Sequence, residues 1–284
     1  MKKTVALLLA LMMLFALAAC GNQQDTAKDA QDTSSGSTES EEEVTLYVFA
    51  AASMTETLDQ IIQMYQTEHP NVTIIATYDS SGTLKTQIQE GAECDVFISA
   101  AQKQMNQLDA AKDAAGGNEE GLDFVLSETR VNLLENKVVL AVPDDNPAGI
   151  QSFQDLATDK LSLLCIGNED VPVGAYSLEI LTALDIFDAL ESSGKLTYGS
   201  NVKEVTTQVK EGTVDAGIIY ATDAYSANLT VVDQATSDLC RQVIYPAAVM
   251  KNTTHEQAAR DFLAYLQSDA AMEVFQSVGF APAP

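Results

Sequence analysis

From residue 44 to the end of the chain, short apolar runs alternate with stripes of helical spacing, and this alternation leaves few folds open. Runs at 44–49, 72–76, 95–99, 137–142, 161–166, 216–220 and 242–249 have the apolar, β-branched character of buried strands. Between them, Leu58, Ile61, Ile62 and Tyr65 fall on one helical face, and Phe262, Tyr265 and Leu266 on another. A helix between two strands supplies the crossover that parallel pairing needs, so the pattern predicts an α/β fold. About 240 residues are enough for one large or two modest domains. Ser53-x-x-Glu56, Asn201-x-x-Glu204 and Thr254-x-x-Gln257 fit or approximate the capping box at a helix start. Residues 114–122, with Gly116-Gly117 and Glu119-Glu120, read as a polar loop, and no repeat of fixed period is present.

At the amino terminus, Lys2 and Lys3 precede an apolar run at 5–17 that ends in small residues and Cys20. The run is shorter than the ~20 apolar residues that span a bilayer, so it reads as an export signal rather than a permanent transmembrane helix. Leu17-Ala18-Ala19-Cys20 resembles the lipobox of bacterial lipoproteins. That resemblance implies a leader at 1–19, cut before a lipidated Cys20 that anchors the protein on the outer face of the cell membrane. The other reading is an ordinary secretory signal with an incidental cysteine. Residues 21–43 carry no large apolar side chain and end in Glu41-Glu42-Glu43, a composition that cannot offset its ordering entropy, so 20–43 is expected to be a disordered tether. Cys94, Cys165 and Cys240 remain, an odd number at no metal-ligand spacing. They read as buried thiols, although export would permit one disulfide that sequence cannot assign.

Two stretches, FAAASM at 49–54 and YDSSGT at 78–83, put a serine where a strand run gives way to a helix. The first four N–H groups of a helix lack intrahelical partners and carry the positive end of the macrodipole. A hydroxyl beside them completes a neutral donor nest for an oxyanion. Ser53 reads either as an N-cap with Glu56 closing the box or as a ligand hydroxyl, and the two roles are compatible. Ser81 reads as a ligand hydroxyl or as part of a polar turn, with Gly82 permitting close backbone approach. Val173 and Val202 lie near helix starts but have no side-chain donor, so any role rests on the backbone N–H. Tyr220 ends a strand, where it faces either a ligand crevice or a backbone carbonyl. The chain carries 41 acidic against 15 basic residues, net −26, so an anion here must be held by dipoles and hydroxyls without a positive field. The same balance argues against nucleic-acid binding.

Enzyme readings find little support. The sequence has no G-x-S-x-G elbow and no phosphate-binding G-x-x-x-x-G-K-[ST], and its two histidines, His69 and His255, stand in polar helix-flanking contexts. No His, Cys, Asp and Glu cluster has zinc or calcium spacing, so neither a metal cation nor another cofactor is expected. Asp144-Asp145-Asn146 reads most simply as a turn.

The order and spacing of FAAASM, SSGTL, CDVFISA with Gln102 and Met105, VPVGAY, NVKEV, DAGIIYATDA, IYPAAV and a closing GF resemble the molybdate-binding proteins of ABC importers. The likeness covers nearly all of 44–284. It implies a two-lobed α/β fold of the type II periplasmic-binding-protein kind, with a mixed, mostly parallel sheet in each lobe and the ligand between them. The lobes would be 44–136 with 241–284, and 137–240, hinged near Val138 and Val243. By the same resemblance Ser53, Ser81 and Tyr220 would give hydroxyls, and Val173 and Val202 backbone N–H groups, to a molybdate or tungstate oxyanion. Val173 stands where the family often has alanine, and Gly82 replaces a third serine. The implied partner is the membrane permease of an ABC importer, and the chain is expected to act as a monomer.

The chemistry suits that ligand. Molybdate at neutral pH is an unprotonated dianion whose oxygens only accept, so an all-donor pocket fits it. Phosphate keeps a proton, which such a pocket would leave unpaired at a cost of ~1–3 kcal/mol. Sulfate is also an unprotonated dianion and differs only in size, so a binder of another oxyanion such as sulfate is the alternative. A cation or organic-solute binder on the same fold would need other groups at the strand ends.

Overall fold

The computed structural model describes residues 42–284; the leader, Cys20 and nearly all of the tether lie outside the described residues. Strands, in chain order, are β1 (Val44–Ala51), β2 (Val72–Asp79), β3 (Val96–Ile98), β4 (Val131–Asn136), β5 (Val138–Val142), β6 (Leu164–Gly167), β7 (Leu196–Gly199), β8 (Ala216–Tyr220), β9 (Thr230–Gln234), β10 (Val243–Val249) and β11 (Ala281–Pro282). Helices are α1 (Thr55–Glu68), α2 (Ser81–Gln89), α3 (Gln102–Leu108), α4 (Pro172–Ala183), α5 (Phe187–Ser192), α6 (Val202–Lys210), α7 (Ala221–Ala227), α8 (Glu256–Tyr265) and α9 (Asp269–Ser277). None of the described helices is long and apolar enough to cross a membrane.

The strands form two mixed sheets. One has the order β11-β4-β10-β3-β1-β2, the other β7-β6-β8-β5-β9. Pairs joined by a helical crossover are parallel: β1 with β2 and β3, and β6 with β7 and β8. Pairs made by β10 and β5 are antiparallel. The chain leaves the first sheet through Lys137, between β4 and β5, and returns between β9 and β10. Since β4 pairs with β10 and β5 with β9, the two crossings flank one another.

Helices cover the sheets as the apolar stripes require. Leu58, Ile61, Ile62 and Tyr65 are buried along α1, and the adjacent interior strands β5 and β8 are buried over their whole length, as strands covered on both faces should be. Four strands escape the apolar-run criterion. β4 (VNLLEN) carries two Asn and a Glu and abuts β5 across a single residue, while β7 and β9 are short and partly exposed and β11 has only two residues. Their pairing is decided by neighbours rather than by apolar content. The expected strand at 161–166 begins only at Leu164.

The capping boxes are partly corrected. Ser53 lies inside a 3-10 turn, Ala52–Met54, and α1 starts after it with Met54 at the cap and no side-chain bond there. Likewise α8 starts at Glu256 with His255 at an unbonded cap, so Thr254 is not one. Asn201 does cap α6, its side chain accepting the Glu204 N–H at 3.1 Å, and Glu204 turns back to the Ser200 N–H. The polar loop at 114–122 is held by buried Asn118, which donates to the carbonyls of Asp109 and Leu122 and accepts the Leu122 N–H. Cys94, Cys165 and Cys240 are free thiols, the first two buried and the third half-buried. Burial pushes the Cys165 thiol up to about 12 and Cys240 up to about 11, so neither is reactive near neutral pH.

Candidate oxyanion site

The carboxyl ends of strands from both sheets converge where the helices begin, which is where open α/β sheets hold ligands. Ala51, Ala52 and Ser53 follow β1; Asp79, Ser80 and Ser81 join β2 to α2; Ala100 follows β3. From the second sheet come Val171 and Pro172 at the start of α4, Val202 at the start of α6, and Tyr220 at the end of β8. These residues line a cavity of about 10 Å³, room for about one water-sized sphere, whereas the groove lined by Lys137 and Arg241 is about 550 Å³. Size does not single out the site; the convergence of donors does.

Of the five residues expected at the site, Ser53, Ser81, Val202 and Tyr220 line this cavity. Val173 does not line it and lies one position beyond Pro172, which does. Both valines are the first or second residue of a helix, α6 or α4, where a backbone N–H has no intrahelical acceptor. The close seating of α4 depends on Gly174, where a Cβ would stand 2.3 Å from the Asn168 carbonyl oxygen and 2.4 Å from that of Gly167.

Each serine hydroxyl is polarised from behind. The Ala100 N–H donates to Ser81 Oγ at 2.9 Å, which occupies a lone pair and leaves the Ser81 hydrogen to donate elsewhere. Behind Ser53 stands Tyr245, whose hydroxyl lies 2.9 Å from Ser53 Oγ. The Asn136 amide donates to Tyr245 at 3.2 Å and to Thr222 at 2.9 Å. With its own oxygen accepting from Asn136, Tyr245 can donate to Ser53, so the Ser53 hydrogen too is free to point inward.

Tyr220 completes the set. Its hydroxyl is fully buried and has no hydrogen-bond partner among the described residues, which costs free energy unless a ligand accepts from it. Burial, with Tyr245, Tyr176 and Asp223 nearby, holds its pKa well above the ordinary value, so it remains a neutral donor. Tyr176 and Tyr245 pack edge-on against its ring and fix its direction.

Sequence reasoning missed Asp79, Ser80 and the second tier of Asn136 and Tyr245. Ser80, not Ser81, is the cap of α2, accepting the Thr83 N–H at 3.1 Å. Asp79 is the one carboxylate on the lining; its Oδ1 accepts from the Ser80 N–H at 2.7 Å and from Asn201 Nδ2 at 3.3 Å. Asp79 and Ser80 lay in a quoted motif, whereas nothing in the spacing of Asn136 and Tyr245 relates them to Ser53. Among the described residues no group of three or more His, Cys, Asp and Glu is gathered in a way that could hold a metal ion.

Comparison with known proteins gives the family and the fold. Residues 46–281 match the family described as bacterial extracellular solute-binding protein. YvgL of Bacillus subtilis, named a "Putative ABC transporter substrate-binding lipoprotein", is 36% identical over 282 residues, covering 98% of each chain. The molybdate-binding protein ModA of Haemophilus influenzae is 34% identical over 240 residues, covering 82% of this chain and 89% of its own. The structure of the periplasmic molybdate-binding protein of Azotobacter vinelandii has the same fold, with a TM-score of 0.72 at 22% identity over 84% of this chain and 100% of its own.

Proposed function

The chain belongs to the bacterial extracellular solute-binding protein family, and on that premise we propose that it captures molybdate, and tungstate with it, for the membrane permease of an ABC importer. As a member of that family related to ModA, it is a binding protein and not an enzyme. One observation carries the choice of ligand. The hydroxyls at the cavity are arranged to donate: Ser81 has its lone pair taken by the Ala100 N–H, Ser53 is backed by Tyr245, and Tyr220 has nothing else to bond. Helix starts add backbone donors and a favourable dipole. Such a set suits an oxyanion with no proton of its own.

Roughly five to seven charge-assisted hydrogen bonds at ~1.5–3 kcal/mol each, less the cost of closing the cleft, support micromolar to nanomolar affinity without a Lys or Arg contact. We take the segments 44–136 with 241–284, and 137–240, as two lobes that open to admit the ligand; the membership of the two sheets supports this division. Export and anchoring through Cys20 would place the protein on the extracytoplasmic face, as a monomer facing the permease. The likeness to YvgL over nearly its whole length supports the anchor.

The alternative ligand is sulfate, which differs from molybdate only in size. Asp79 could accept the proton of phosphate, so phosphate belongs in the same test. Thermal-shift titration of residues 21–284 with molybdate, tungstate, sulfate and phosphate at equal concentration discriminates among them. At 1,000 times its dissociation constant a ligand adds ~4 kcal/mol of stability. Stabilisation by molybdate and tungstate alone is expected. A response to sulfate would make the protein a broader oxyanion binder, a response to phosphate alone would give Asp79 an accepting role, and silence to all four would overturn the reading.

A further inference from the structure

Three of the contacts between elements of the first sheet and elements of the second lie at helix starts beside the cavity. The Gly82 N–H, in the first turn of α2, donates to the Asp170 carbonyl before α4 at 3.0 Å. Asn201 Nδ2, at the cap of α6, reaches Asp79 Oδ1 at 3.3 Å. Lys203 Nζ, on α6, donates to both carboxylate oxygens of Glu56 on α1, at 2.8 and 2.7 Å.

Gly82 is not required by its own helix. Its φ is not positive, and alanine is the better former inside a helix. The demand for glycine comes from across the gap. A Cβ there would lie 2.3 Å from the Asp170 carbonyl oxygen and 2.9 Å from its carbon, closer than real Cβ atoms come, and both are backbone atoms that no rotamer change can move aside. Lys203 is anchored on its own side by Asp223, a wholly buried carboxylate 3.3 Å from Nζ, and so presents its charge to Glu56.

We propose that these residues determine closure of the cleft: Gly82 is the point where the two halves meet backbone to backbone, and Lys203 bridges to Glu56 beside it. Residue 82 thereby sets how closely the starts of α2 and α4 approach over the bound anion. The inference rests on the oxyanion reading of the site. Ser53, Ser81 and Tyr220 are no more than 5% exposed in this arrangement, so a ligand can reach them only when these contacts part.

The test uses the wild type, Gly82→Ala and Glu56→Lys, with molybdate as probe. Affinity is read by calorimetry, dissociation by stopped flow, and contraction by small-angle scattering. The wild type is expected to contract on binding. Gly82→Ala should retain its ligand-free melting temperature, bind at least 10-fold more weakly and fail to contract. Glu56→Lys, which sets two cations face to face at an exposed position, should dissociate several-fold faster, with the difference shrinking in high salt. If Gly82→Ala is unstable, the Glu56→Lys rate decides. Variants that bind, dissociate and contract like the wild type would overturn the closure role while leaving the ligand assignment intact. A wild type that binds neither molybdate nor any of the other three anions would overturn the site reading itself.

Discussion

At the residue scale, the proposed site rests on what stands behind each oxygen. A serine can donate or accept, and the Ala100 N–H decides for Ser81. Ser81→Ala is expected to weaken molybdate binding by ~1–3 kcal/mol, about 5- to 150-fold, with the chain still folded; unchanged affinity in calorimetry would remove Ser81 from the site. Asp223 illustrates the opposite sign of charge. Burial, only partly offset by Lys203, pushes its carboxyl up to about 6. Lys203 itself is depressed by burial but raised by more through Asp223 and Glu56, so it stays charged. The folded value of Asp223 stands above the ~3.9 of an unfolded aspartate, so its ionisation opposes folding. Below about pH 4 the group is protonated in both states and the penalty is absent; it grows as pH rises through 6 and is complete above. Asp223→Asn should therefore raise stability by up to about 2–3 kcal/mol at pH 8 and match the wild type near pH 4. Equal denaturation midpoints at both pH values would count against the buried charge.

At the element scale, the helix starts are where sequence signals and structure part most often. Asn201 caps as its spacing suggests, but Ser53 and Thr254 do not, because tertiary bonding captures the Ser53 hydroxyl and α8 begins two residues after Thr254. Ser268, which no box pattern marks, caps α9 by accepting the Ala271 N–H at 3.2 Å. Ser268→Ala is expected to cost about 1 kcal/mol in chemical denaturation and to leave molybdate affinity unchanged, since α9 lies away from the cavity lining. A change in affinity would mean that α9 is coupled to the site. The stripes of α1 and α8 and the apolar strands were legible from period and composition alone, whereas interior β4, with its two Asn and a Glu, was not. The edge strands β7 and β9 were not, because their residues are half solvated and only a neighbour's free ladder makes them strands.

At the scale of the whole molecule, the antiparallel contacts of β5 and β10 turn a run of strand and helix units into two sheets joined by adjacent crossings. An alternating pattern predicts crossovers and parallel pairs, but it does not say where the chain changes sheets, because an antiparallel strand of the same composition looks identical in sequence. The site residues divide along the same line. FAAASM, SSGTL and the strand-end Tyr220 were legible because helix starts and strand ends carry local signals. Asn136 and Tyr245 were not, being 83 and 192 positions from Ser53 and linked to it only by folding. The α/β class, the family likeness and the serines at helix starts could be read from the chain alone, since these depend on neighbours a few residues away. Which lone pairs are occupied, that Tyr220 is left without a partner among the described residues, and that a Cβ at residue 82 would collide with the Asp170 carbonyl in this arrangement all came from the folded structure, because each depends on atoms brought together from distant parts of the chain.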